Sequence, residues 1–83
     1  MDALDGNAIG GLLHQVFGTE MTAATGTCAH CGAAGPVAEL VVYLRGPGTV
    51  VRCRACLGLL MVFVDVRGFT CVDLQGVAAL ESA

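Results

Sequence analysis

The sequence predicts a small α+β fold held together by a metal, and three observations carry that expectation. Cysteines occur as two Cys-x-x-Cys pairs, "CAHCG" at 28–32 and "CRACL" at 53–57, with 21 residues between them. Apolar residues near the N-terminus recur at helical spacing. β-Branched and aromatic residues crowd the stretch from 37 to 74, which favours strands over helices there.

Taken in order, residues 1–83 read as a single domain, with an N-terminal helix in 1–18 and a metal-bearing ribbon with its hairpins in 25–76. The helix is expected from about Ala8 to Phe17, because Ile9, Leu12, Leu13, Val16 and Phe17 form one stripe, with Asp5 or Asn7 as N-cap and Gly18 as C-cap. Gly10 and Gly11 weaken it by about 1 kcal/mol each relative to alanine, so packing must hold it. "TEMTAATGT" reads as a connector. Val37–Leu44 and Thr49–Arg52 read as one hairpin, turning over Arg45-Gly46-Pro47-Gly48. Leu59–Val66 and Phe69–Leu74 read as a second, turning at Arg67-Gly68. "QGVAALESA" closes with a helical turn or frays.

A chain of 83 residues buries only about 60–65 % of the surface its unfolded form exposes, so a staple is expected. Five cysteines is an odd number and no basic, apolar, small-residue leader opens the sequence, so we expect a reducing, cytoplasmic setting and a metal rather than disulfides. A Cys-x-x-Cys turn puts two sulfurs on one side of a tight loop, and two such turns supply a tetrahedral set of four at about 2.3 Å per bond. Cys28, Cys31, Cys53 and Cys56 are the expected ligands of one structural Zn2+ ion, one knuckle at the mouth of each hairpin. Gly32 suits a backbone that folds over the Cys31 sulfur, whereas the second turn has Leu57 at that place and Gly58 one residue later. The arrangement looks like a zinc ribbon carried on antiparallel β-hairpins.

A closed shell of four thiolates leaves no position for water or substrate, so no catalytic residue, no enzyme activity and no small-molecule substrate are expected. His30 reads as a solvent-facing loop residue, His14 as a polar-face helix residue, and Cys71 as a small buried hydrophobe on a strand. Asp65 and Asp73 read as solubilising charges on adjacent strands.

Formal charge is −3, and four thiolates around a divalent metal add about −2 more. The chain has no lysine, and only Arg45, Arg52, Arg54 and Arg67 could meet phosphate, which argues against nucleic acid as a partner. The longest uncharged apolar run, Ala55–Val64, is ten residues, about half of a membrane-spanning helix, so no membrane segment is expected. Hydrophobic residues nonetheless make up 55 % of the chain, more than a domain this small needs, and a protein partner or a homodimer is expected to cover some of them.

As a whole, "DGNAIGGLLHQVFGTEMT", "CAHCG" and "AELVVYLRGPGTVVRCRAC" resemble a family of short actinobacterial proteins with a zinc-ribbon core and no assigned activity, over nearly the full chain. The resemblance implies the ribbon and its ligands at Cys28, Cys31, Cys53 and Cys56, and no more. The functional expectation is a non-catalytic zinc-ribbon adaptor that docks on a protein through its helix or an apolar sheet face. The alternative is a rubredoxin-like iron electron carrier, which the scarcity of aromatics and the missing second-knuckle glycine disfavour. A nucleic-acid-binding ribbon comes third, against the charge.

Overall fold

The computed structural model describes residues 4–45 and 48–81. It is a small α+β structure with one short α-helix and two antiparallel sheets among the described residues. Strands β1 (Leu4–Asp5), β4 (Val41–Arg45), β5 (Gly48–Arg52), β6 (Leu59–Val66) and β7 (Phe69–Asp73) form a five-stranded sheet in the order β1-β4-β5-β6-β7. Strands β2 (Thr25–Cys28), β3 (Ala34–Pro36) and β8 (Val77–Glu81) form a three-stranded sheet in the order β3-β2-β8.

The chain enters its helix as its end residues dictate. The Asp5 carboxylate accepts the Asn7 N–H at 3.1 Å, and a 3-10 turn over Gly6–Ile9 precedes α1 (Gly10–Phe17). The expected start at Ala8 is therefore corrected: the first turn is tightened where Gly6 lies so close to Val37 that a Cβ would collide with its carbonyl. Gly18 ends the helix at φ 76°, its N–H bonded to the His14 carbonyl at 2.8 Å. All five stripe residues are covered: Ile9 and Leu13 are buried, and Leu12, Val16 and Phe17 pack against the buried core.

Strand β6 is apolar on both faces, and the register decides which residues go in. Met61 and Phe63 pair with Val51 and Thr49 and are only 1 % and 2 % exposed. Val62 and Val64 point the other way. A bulge pairs Arg52 with Leu59 beside the Val51–Met61 pair, and the extra residue, Leu60, is buried as well. Tyr43, Val50, Val62 and Val64 make an outer face of half-buried side chains that lies outside the buried core.

Several expectations need correction. Within the supposed connector, Met21 and Ala24 are buried, Ala24 and Thr22 carbonyls accept the N–H groups of Val37 and Ala38, and β2 begins at Thr25. Val37–Glu39 is a 3-10 turn following Pro36, so the first expected hairpin narrows to β4 and β5. Gly46 and Pro47 of its expected turn lie outside the described residues. The second hairpin matches its expected span to within Leu74. Residues 77–81 are a strand rather than a helical turn, because β2 offers them an antiparallel partner from Thr25↔Glu81 to Cys28↔Val77.

Candidate metal centre

Each cysteine pair is the turn of a hairpin, though not of the two expected. The first joins β2 to β3 and the second joins β5 to β6. The two turns repeat one hydrogen-bond pattern. Gly32 N–H bonds the Cys28 carbonyl at 3.0 Å and Leu57 N–H bonds the Cys53 carbonyl at 2.9 Å. Cys28 N–H bonds the Ala33 carbonyl and Cys53 N–H the Gly58 carbonyl, both at 2.9 Å. His30 N–H points at the Cys28 sulfur at 3.3 Å and Ala55 N–H at the Cys53 sulfur at 3.4 Å. The Gly58 N–H at 3.3 Å from the Cys56 sulfur matches that of Ala33 at Cys31. Gly32 thus reaches over the first turn toward a carbonyl, and the N–H that meets the Cys31 sulfur comes from Ala33.

The pattern extends to backbone shape. Gly32 has φ 78° and Leu57 has φ 61°, so the leucine takes the left-handed conformation that glycine takes in the first turn. Arg52, which sequence reasoning offered only as a phosphate contact, braces this turn by donating from Nη1 to the Leu57 carbonyl at 3.1 Å.

The two turns face each other and their four sulfurs lie within 4.8 Å of one another. Cys28 to Cys56 and Cys31 to Cys53 are both 3.7 Å, too long for a disulfide. A tetrahedron of sulfurs about 2.3 Å from a central ion has edges of about 3.8 Å, so the donor set and spacing fit a bound metal ion. Each turn contributes one buried sulfur, Cys28 or Cys53, and one exposed residue, Cys31 or Cys56.

As free thiols the cysteines differ. The Cys56 and Ala55 N–H groups aimed at its sulfur hold Cys53 down at about 6. At Cys31 the Ala33 N–H is outweighed by desolvation and by hydrogen bonds with the thiols of Cys53, Cys56 and Cys28, which push it up to about 12. Cys56 is likewise raised: desolvation and its contacts with Cys28 and Cys53 overcome the Gly58 N–H.

The other singled-out residues fall elsewhere. His30 is exposed but is not simply solvent-facing: its Nε2 lies 3.0 Å from the Leu59 carbonyl, across the gap between the turns. Its ring occupies the space beside Gly58, where a Cβ would come within 2.6 Å of His30 Cδ2. Cys71 lies outside the cluster and is exposed on β7 opposite Val64, which corrects its expected burial. His14 is exposed in the last turn of α1. Asp65 accepts the Thr70 hydroxyl and Asp73 the Gln75 N–H, both at 2.9 Å. Arg54 pairs with Glu39 at the surface, a contact that contributes little to stability.

A family described as a family of unknown function (DUF6510) matches residues 1–83. The chain belongs to that family. No curated protein and no solved structure matches it. Among the described residues, no helix is long and apolar enough to cross a membrane.

Proposed function

We propose that this member of DUF6510 is a non-catalytic module in which Cys28, Cys31, Cys53 and Cys56 hold one structural Zn2+ ion in the manner of a zinc ribbon, and that it works in the cytoplasm as a protein-interaction adaptor. The observation that carries the metal reading is the convergence of four sulfurs from two turns with one repeated hydrogen-bond pattern. With four thiolates the shell is closed, so the ion supports the fold and does not act on a substrate. Zinc is preferred to iron because the second turn lacks the glycine of a rubredoxin knuckle and the chain is poor in aromatics. The adaptor reading is supported by the outer sheet face of Tyr43, Val50, Val62 and Val64, apolar where a solvated sheet alternates with polar residues. The helix no longer supports it, since its stripe is occupied by the core. The nucleic-acid reading weakens further, because Arg52 and Arg54 are already engaged.

Metal analysis of the protein purified from its own cell tests this reading. One zinc per chain and a colourless sample are expected. A red sample with thiolate-to-iron absorption, bleached reversibly by a reductant, would replace the adaptor with an electron carrier.

A further inference from the structure

We propose that the cleft beside the buried sulfurs of the metal centre binds a free α-amino acid with an apolar side chain, whose ammonium Glu39 holds and whose carboxylate Arg54 holds. The inference goes beyond the adaptor reading and makes no use of the outer sheet face. It rests on the metal reading only in that both cysteine turns must be in place. The ligand is bound and not converted, since the four-thiolate shell stays closed.

The cleft has a volume of about 350 Å3 and is lined by both cysteine turns. Cys28, Cys53, Leu40 and Leu60, all buried, make its floor. Along one wall, residues 33–36 carry short side chains or none, which leaves the space open. The volume lies at the lower end of the range of about 300–1,000 Å3 usual for ligand sites, so it suits one small molecule rather than a length of peptide.

Its mouth carries the information about the ligand. Glu39 ends the 3-10 turn after Pro36 and Arg54 lies within the second cysteine turn, so the two reach the cleft from different parts of the chain. Their side chains are 52 % and 68 % exposed, unlike the floor, and they pair with each other there. Two opposite charges in contact above an apolar floor match few ligands. An anion such as phosphate would gain Arg54 but face Glu39 and a chain of net charge −3. A simple cation meets the reverse conflict at Arg54, and an uncharged apolar molecule gains nothing from the pair.

A zwitterion meets neither conflict. The ammonium and carboxylate of an α-amino acid are separated by a single carbon, so they can exchange partners with the side-chain pair one for one. The Arg54 guanidinium donates to the ligand carboxylate, the ligand ammonium donates to the Glu39 carboxylate, and no charge is left without a partner. Opening the existing pair costs little, because an exposed ion pair is weak. The ligand's side chain then leaves water for the floor of Leu40 and Leu60.

Calorimetric titration of the metal-loaded chain with L-leucine tests this, with amide and methyl shifts followed on the same samples. A Kd of about 0.1–1 mM is expected for a ligand of this size. Shifts should centre on Ala34, Gly35, Arg54 and the methyl groups of Leu40 and Leu60. Isocaproate, which lacks the ammonium, isoamylamine, which lacks the carboxylate, and glycine, which lacks the side chain, should each bind about ten-fold more weakly or worse. Glu39→Gln and Arg54→Gln should each weaken leucine binding about ten-fold at full metal content, because both side chains are exposed and neither belongs to the cysteine set. No binding of leucine up to about 20 mM, equal binding of any of the three analogues, or leucine binding that survives both replacements would overturn the proposal. Metal content is read on every sample, so absent leucine binding at full metal leaves the metal reading standing.

Discussion

Leu57 occupies, at φ 61°, the same place in its turn that Gly32 occupies at φ 78° in the other. A left-handed residue with a Cβ costs about 1–2 kcal/mol, part of which glycine would give back through its freer unfolded chain. The leucine is 54 % exposed, so little burial compensates for that cost. Leu57→Gly should therefore stabilise the metal-loaded protein, raising its midpoint by about 2–6 °C. Gly32→Ala, whose Cβ would meet nothing within 4 Å, should lower it by a comparable amount through backbone strain alone. Thermal circular dichroism at equal metal content measures both. A loss of stability in Leu57→Gly would show that the leucine side chain holds the turn in place.

His30 and Gly58 form a clasp between the two turns. A Cβ at Gly58 would stand 2.6 Å from His30 Cδ2 and 3.1 Å from the Cys56 sulfur. Gly58→Ala should push the ring off the Leu59 carbonyl and disturb one ligand, costing about 1–3 kcal/mol and weakening metal retention. His30→Ala alone should be milder, because it removes one exposed hydrogen bond. The double variant should recover part of the Gly58→Ala loss, the remainder being the contact with Cys56. Competition with a chromophoric chelator reads all three, and additive losses would show that the ring and the glycine act separately.

What could be read from the sequence follows how local the determining physics is. The β6–β7 hairpin was legible because Arg67-Gly68 demands a two-residue turn and strand-forming residues flank it. The cysteine set was legible because spacing alone fixes what two turns can present. Strands β2, β3 and β8 were not, since "TGTC", "AGP" and "VAALE" carry no hydrophobic alternation and are held by ladder bonds to partners distant in sequence. Which face of β6 goes inward was undecidable, as both are apolar, and only the bulge at Arg52 shows why Leu60 joins Met61 and Phe63 inside. The His30 clasp depends on a carbonyl 29 residues away, and no pattern in "CAHCG" signals it.

Metal binding should weaken as pH falls. Cys53, held at about 6, is already largely thiolate at neutral pH, whereas Cys31, pushed up to about 12, and Cys56, also raised, carry protons that the ion must displace. Protons and metal compete for the same sulfurs, so the apparent affinity should drop by about ten-fold per pH unit for each proton that the ion displaces. Chelator competition between about pH 5.5 and 8 checks this, and a flat profile would mean that the sulfurs do not bind the ion as thiolates.

Removing a ligand should act differently at the two kinds of position. Cys28 and Cys53 are each 3 % exposed and belong to the buried core, so Cys28→Ser or Cys53→Ser removes a metal bond and also places a hydroxyl among apolar neighbours. Cys31→Ser and Cys56→Ser remove the bond at the exposed side of the cluster. All four variants should lose stoichiometric metal, with the two buried positions the more damaging to the fold, while Cys71→Ser, outside the cluster, should retain it. Chelation of the unmodified chain under reducing conditions should have the same consequence, since a structural ion binds with about 10–16 kcal/mol and a small core supplies less. The three-stranded sheet should go first, because β2 and β3 are joined through the first turn and, among the described residues, β8 pairs only with β2. Metal analysis with amide-resolved exchange distinguishes these outcomes: full metal in Cys31→Ser, or a β2–β8 ladder that survives chelation unchanged, would show that the four sulfurs do not support the fold.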